Sequence, residues 1–578
     1  MIRSLAVGAL VIGVLTAQVP SPTPPPSPPP LATASPSASP SPETSPSPSA
    51  SATPASVVIA AAPATVAMPP GGFVDVTISN ASGDVATAFD KNLATATVDQ
   101  ATHVVRVSAG TATGTDVMHV TDPSGAQVDV PVRIAPYGGT LAQSLTLDVT
   151  GTPADGDWVA AQIRDLLRRS TLVQPGAQAT YTVAPLAVPL ASGARTSVSV
   201  PVQIAGGENY LDVAGTTVVN VQNMTLDPFT PSVLLYDDDP EKIVGDGPLF
   251  HATIQPDQPV RLYYYHDSDA AQHRIVMFLS ATTAEPTPVH VVAATGGPNV
   301  DVMTVGHNVS RNYVLSKLHN QGVVIDLAQD RGDYSFLDVV FGGGAGIAGS
   351  VDLRVLGGGP VAVAILAVPV GADADTIAQI ALQAPLAKDG HQRSGIFKLD
   401  GDYGNAYKNY VAGGPDVSLV YGDQGPPGAD ADAGRDAGDY GVLQTIAFSL
   451  NNPTAKPAVA YLYERPIGGI VRSTFFLNGT PVEMGCVRDS TQRYQVSTYA
   501  LAPGATVPVT VTTMTDGGSN YPIEIGVSAT PPVPVTPAID APDGCFPKAA
   551  TPSPAPVESP TGEPSPEPSA TPEGLMKI

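Results

Sequence analysis

One stretch constrains the chain more than any other: VLQTIAFSLNNPTAKPAVAYLYERPIGGIVRSTFFLNG, Val442 to Gly479. It reads strand, turn, strand, turn, strand. Apolar residues alternate or run in short β-rich blocks, and Asn451-Asn452-Pro453-Thr454 and Gly468-Gly469 punctuate them. That is the grammar of an antiparallel β-sandwich, and it contains no group suited to catalysis.

The same grammar recurs upstream. From 56 to 136, strands return every 8 to 12 residues between Gly, Asn and Asp turns, which predicts a small immunoglobulin-like sandwich. The spacing resembles bacterial Ig-like repeats of surface proteins, and that resemblance implies a spacer or adhesion module. Residues 137–229 predict a second Ig-like sandwich carrying a helix over 157–172. Asp155 or Asp157 can cap that helix, and Trp158, Ala161, Ile163, Leu166 and Leu167 supply its apolar face. A larger sandwich is predicted over 230–370, a connector over 371–400 with a short helix in ADADTIAQIALQAPL, and a last sandwich over 401–530. The fold class expected is therefore all-β, with tandem Ig-like and larger antiparallel sandwiches and one helical insertion.

Both ends read differently. Residues 1–17 have an early Arg3, an apolar run from Leu5 to Leu15 and small residues at Thr16-Ala17, the pattern of a Sec signal peptide. An uncleaved N-terminal anchor is the alternative. Residues 18–55 and 531–578 are rich in Pro, Ser, Thr and Ala, a composition that cannot bury a core and favours extended polyproline II. A 35-residue spacer of this kind reaches roughly 100 Å. Cys486 and Cys545 are the only cysteines. In an exported chain such a pair is expected to be oxidised, and closing so long a loop stabilises by about 4 kcal/mol. The net charge of −25, with only 14% charged residues, excludes a nucleic-acid partner and disfavours anionic lipid. The rest of the chain has no membrane-spanning apolar run.

The segments LYDDDPEKI (235–243), VRLYYYHDSDAAQHRIVMFL (260–279), YGVLQTIAFSLNNPT (440–454), YERPIGG (463–469) and TTMTDGGSNYP (512–522) resemble a family of uncharacterised secreted bacterial multi-β-sandwich proteins, some of them labelled copper amine oxidase-like domain proteins. The resemblance covers about 213–529 and implies no established activity. The oxidase label itself requires an Asn-Tyr-Asp/Glu segment and a His-x-His pair. The nearest match is Asn409-Tyr410-Val411, and no His-x-His occurs.

Candidate sites are few. The acidic loop Asp430-Ala-Asp432-Ala-Gly434-Arg-Asp436, running on to Asp439, offers Asp430, Asp432 and Asp436 to calcium. Gly434 and Arg435 depart from an EF-hand at its fifth and sixth positions, so a disordered acidic insertion is the competing reading. Strand periodicity puts Tyr263 and Tyr265 on one face, where they could stack on sugar rings; core and interface tyrosines are the plainer reading. Asp237-Asp238-Asp239 reads as a turn whose aspartates cap their own backbone. His251, His266 and His273, near Asp267 and Asp269, match no ligand spacing. Gly344-Ala-Gly346-Ile-Ala-Gly349 matches GxGxxG but leads into a strand, so a hairpin is expected. Neither catalytic residues nor a cofactor beyond that calcium are expected. The functional expectation is an exported, non-catalytic structural or adhesion protein of the cell envelope or exterior. A carbohydrate-binding sandwich protein is the alternative, a hydrolase or oxidase the remote one. Envelope polysaccharide or other surface proteins are the expected partners.

Overall fold

Alternation of buried and exposed residues is clearest in residues 60–134. The computed structural model describes residues 58–327, 334–386, 388–399, 404–429, 433–535 and Cys545. The expected signal peptide (1–17), the linker 18–55, the tail 531–578 apart from 531–535 and Cys545, and the candidate ligands Asp430 and Asp432 lie outside the described residues. Two four-stranded sheets face each other here. One has the order Ala60–Ala62, Phe73–Ser79, Val104–Ala109, Ala94–Asp99, and the other Val66–Met68, Gln127–Ile134, Gly114–Thr121, Ala86–Phe89. Val76, Ile78, Val105 and Val107 from the first meet Met118, Val120, Val130 and Val132 from the second, all buried. Alternate residues of each strand stay outside, as a half-buried sheet requires. Arg133 fixes this sandwich to the loop after Arg195–Ala205: its Nη2 donates to the carbonyls of Gly207 (2.8 Å), Glu208 (2.9 Å) and Tyr210 (2.9 Å).

The expected boundary near 229 is not a boundary between sheets. A single eleven-stranded sheet crosses it. Ser144–Thr150 pairs in parallel with Val213–Asn223 on one side and antiparallel with Gly322–Leu327 on the other. The sheet continues through Thr287–Asn299, Gly346–Val355, Val260–Ser268 and Val233–Asp237 to an edge at Ser394–Lys398, inside the expected connector. A four-stranded sheet, Gly247–Ile254, Val361–Val368, His273–Ala281 and Tyr334–Phe341, covers one face of its second half. Leu262, Tyr264, Ile275, Met277, Val351, Leu353 and Ile365 form the core between them.

Three helices are described: the insertion near 157–172 and the short connector helix, both expected, and one more that was not. α1, Gly156–Ser170, is capped by Asp155, whose Oδ1 accepts from the Trp158 amide at 3.0 Å. It buries Val159, Ala160, Ile163 and Leu167; Ala161 is exposed, and Trp158, half-buried, packs against the edge of this core while also lining a groove. α2, Val302–Leu318, is capped by Asp301 and buried around most of its circumference. It packs on Thr287–Asn299 and Gly346–Val355 from one side and on the C-terminal sandwich from the other. α3 is the short Ala374–Ala381.

The last sandwich pairs a five-stranded sheet with a four-stranded one. The first is ordered Asn405–Val411, Leu443–Asn451, Thr506–Met514, Thr474–Leu477, Thr480–Glu483, the second Val417–Tyr421, Ile523–Ser528, Ala458–Pro466, Tyr494–Leu501. The stretch Val442–Gly479 supplies strands to both sheets, and its Phe448, Leu450, Ala460 and Leu462 sit in the shared core. Cys486 and Cys545 form a disulfide with Cα atoms 5.3 Å apart, tying the chain beyond residue 535 to this sandwich. Among the described residues no helix is long and apolar enough to cross a membrane.

Candidate ligand-binding groove

Helix periodicity builds one wall of a groove. Trp158, Gln162 and Asp165 stand at i, i+4 and i+7 of α1, with Arg168 a further turn along. Arg311, Asn312, Leu315 and His319 do the same on α2. Between the helices lies Thr287–Asn299, past Val291 where its pairing with Gly322–Leu327 ends; there Val291 and Val292 give way to Ala293, on the covering-sheet side, Ala294, on the α2 side, and Thr295. The neighbouring strand contributes Gly322, where a Cβ would run into the Val291 carbonyl. Small side chains on the strand between the helices leave space, and two adjoining cavities of about 940 Å³ and 270 Å³ share Trp158, Gln162, Ala293 and Thr295 in their walls.

The charges around the groove are mostly spoken for. Asp155 caps α1. Asp165 holds Arg168 at 2.9 Å and also Arg169. Arg311 Nε lies 2.7 Å from Glu483 Oε1, and Asp338 takes Arg274 at 2.7 Å through both oxygens. Trp158, the sole tryptophan, is half-buried, and neither its indole N–H nor the Gln162 amide is engaged by another described residue. The groove thus offers a flat aromatic surface with uncommitted amide donors and acceptors beside it.

The residues singled out by sequence lie elsewhere. Tyr263 and Tyr265 are not a surface platform: they are 2% and 7% exposed, packed where the large sheet meets the last sandwich. Tyr263 stacks on Tyr440 with ring centroids 6.1 Å apart, and the Tyr440 hydroxyl donates to the Ser519 carbonyl at 2.6 Å. Together with Asp238, Asp267 and Arg393 they line a cavity of about 210 Å³. Asp436 is likewise no part of a disordered insertion. It is buried, its Oδ1 accepts from the Tyr440 amide at 2.9 Å, and burial with the nearby Asp439 pushes its carboxyl far above the usual range. Asp439 accepts from the amides of Gly422 (3.1 Å) and Gly425 (2.7 Å), so this part of the loop belongs to the core.

The Asp237–Asp239 turn reaches across the fold rather than to its own backbone. Asp237 Oδ2 lies 3.2 Å from His266 Nε2, Asp238 Oδ2 accepts from the Tyr236 hydroxyl at 3.1 Å, and Asp239 Oδ1 accepts from the Asp389 amide at 2.8 Å. Burial raises Asp238 well above an ordinary carboxyl, against the pull of Arg393. His266 is enclosed, with its Nδ1 3.0 Å from the Pro240 carbonyl, while His273 pairs with Asp269 and His251 is exposed on the covering sheet. They do not converge. Gly343 and Gly344 adopt φ of 66° and 77° in the turn between Tyr334–Phe341 and Gly346–Val355; a strand follows GxGxxG, as expected, but the two strands lie in different sheets, so the turn is a crossover and not the expected hairpin. Tyr410 is buried in the core of the last sandwich.

No family model matches the chain, and no curated protein matches it. Among solved structures it is similar to Lac15 from a marine microbial metagenome, at 12% identity over 78% of this chain and 86% of that one, with a TM-score of 0.11. It is similar to the Bacteroides ovatus mixed-linkage glucan utilization locus protein SGBP-B in complex with a mixed-linkage heptasaccharide, at 10% identity over 52% and 73%, TM-score 0.13. The Yersinia pseudotuberculosis adhesin InvE is similar at 13% identity over 33% and 70%, TM-score 0.12. Likeness at this level carries no argument about function. The all-β class rests on the sheets themselves.

Proposed function

We propose that this is an exported, non-catalytic binding protein that holds a carbohydrate chain in the groove between α1 and α2. The carrying observation is Trp158, half-buried on the wall of the 940 Å³ space, with Gln162 and Asn312 near the small residues Ala293, Ala294 and Thr295. Sugar rings present C–H faces to an indole and hydroxyls to planar amides, and neither interaction needs a charge. Three of the groove's four carboxylates, Asp155, Asp165 and Asp338, cap a helix or hold arginines, and the fourth, Asp157, is exposed in the first turn of α1, which supports retention of a ligand over acid–base chemistry on it. The Cys486–Cys545 bridge fits an oxidising compartment, as the leader does.

A structural or adhesive role without a glycan draws on the serial sandwiches alone. The two readings part on a polysaccharide array probed with the mature chain. Binding is expected, with a loss of about tenfold or more in Trp158→Ala, the size of an aromatic hot spot. Circular dichroism should be unchanged, because α1 keeps Val159, Ile163 and Leu167 in its core. Silence on every glycan, or full binding by the variant, would remove the proposal and leave the structural reading.

A further inference from the structure

The turn after Val233–Asp237 and the loop 388–393 are stitched together by backbone. The Asp389 amide donates to Asp239 Oδ1 at 2.8 Å, the Glu241 amide to Asp389 Oδ2 at 3.0 Å, and the Asp238 amide to the Arg393 carbonyl at 3.0 Å. This stitching brings three potential ligands to one point. Glu241, Asp389 and His391 each place a donor atom within 4.8 Å of the other two, the single set of this kind among the described residues. We propose that Glu241, Asp389 and His391 form a binding site for a zinc-class divalent transition metal.

A second observation singles the place out. Asp239 is 2% exposed, and its Oδ2 has no hydrogen-bond donor; its nearest cation, Lys388 Nζ, is 3.9 Å away and belongs to the same loop. A buried carboxylate oxygen without a donor is costly, and a cation at the adjoining cluster lowers that cost. Arg393 occupies Oε2 of Glu241, which leaves Oε1 for a metal. The His391 amide donates to Asp389 Oδ1 at 2.9 Å and the Glu241 amide to its Oδ2 at 3.0 Å, which fixes this carboxylate in place beside the other two ligands. His391 is largely exposed, and its Nδ1 already lies 3.1 Å from Asp389 Oδ1.

The donor set selects the ion. One imidazole nitrogen and two carboxylate oxygens suit zinc, which takes three protein ligands and a water. Calcium asks for six to eight oxygens, and Asp436 is not among this set. Binding would fasten the loop that leads into the edge strand Ser394–Lys398. That loop also receives the last sandwich, through the Gly434 amide on the Ser394 carbonyl (2.9 Å) and the Arg435 amide on the Gln392 carbonyl (2.7 Å). The site is independent of the groove.

The test is zinc titration of the chelator-treated full chain by calorimetry and thermal melting. One zinc per chain and a melting temperature raised by a few degrees at saturation are expected. His391→Ala should weaken that site about tenfold or more without altering the apo melt, because its ring is exposed. His119→Ala, which removes a different His–Asp cluster, should leave zinc binding intact. No stoichiometric zinc, or equal affinity in His391→Ala, overturns the proposal. So does calcium binding more tightly than zinc.

Discussion

At the scale of single residues, the most committed side chain is Asp352. It is fully buried, and it accepts from Arg261 Nε (2.8 Å) and the Tyr313 hydroxyl (2.7 Å), with Lys317 Nζ at 2.8 Å. Arg261 in turn donates to the Gly441 carbonyl at 2.8 Å, so the network reaches from the large sheet through α2 to the last sandwich. Burial alone would raise Asp352; Arg261 and Lys317 bring it below the ordinary carboxyl value. Replacing a buried pair with apolar groups can be neutral, but removing one partner strands the others. Asp352→Ala should therefore cost about 3–5 kcal/mol in urea unfolding, since Arg261 and Lys317 would keep their charges without a counterion. A loss under about 1 kcal/mol would mean that water screens the site. Nothing in SVDLRV distinguishes this aspartate from an exposed one, because the strand's period places it on a face that only α2 covers.

At the scale of elements, α2 is the piece that holds the molecule's second half together. Gly306 faces the last sandwich so closely that a Cβ there would run into the backbone of Gly517. Gly306→Ala should raise helix propensity and still destabilise. The expected cost is about 1–3 kcal/mol by overpacking, read as a lower urea midpoint. An unchanged or higher midpoint would show that the junction yields. What the sequence revealed differs between the helices for a physical reason. α1 has one apolar stripe and a capping Asp155, so its period is visible. VMTVGHNVSRNYVLSKL has apolar and polar residues buried around most sides, so no stripe announces a helix. The sheets were legible strand by strand, because alternation is local. The joining of Ser144–Thr150 to both Val213–Asn223 and Gly322–Leu327 was not, because edge pairing leaves no periodic trace. The groove was half legible. Trp158 was visible as part of the apolar face, yet a tryptophan with Gln162 four residues on also marks a helix flank turned to a ligand. The small residues Ala293, Ala294 and Thr295 gain meaning only once their strand lies between two helices.

At the scale of the whole molecule, the junction between the large sheet and the last sandwich gathers buried acids. Asp238 comes from one side, Asp436 and Glu464 from the other. Each is raised chiefly by burial, Glu464 to about 8 with its Oε1 accepting from Ser473 at 2.6 Å. A carboxyl that holds its proton more tightly folded than unfolded stabilises fully below its unfolded value, near 4.5. That contribution is lost as pH climbs toward the folded value. His266 acts in the same direction. Its folded value is raised despite burial, through Asp237, so its contribution also fades as pH rises past the ordinary imidazole range. Lowered carboxyls such as Asp352 and Glu524 work oppositely, but only at the acid end, below about pH 4. The balance predicts greatest stability near pH 5 and a decline of a few kcal/mol by pH 8.5. Melting temperature against pH checks it, and Glu464→Gln should flatten the slope between pH 5 and pH 8.5 while keeping the Ser473 contact through its amide oxygen. A profile that rises across that window, or one that Glu464→Gln leaves unchanged, would place these carboxyls in contact with water and make the junction far less dry than its packing implies.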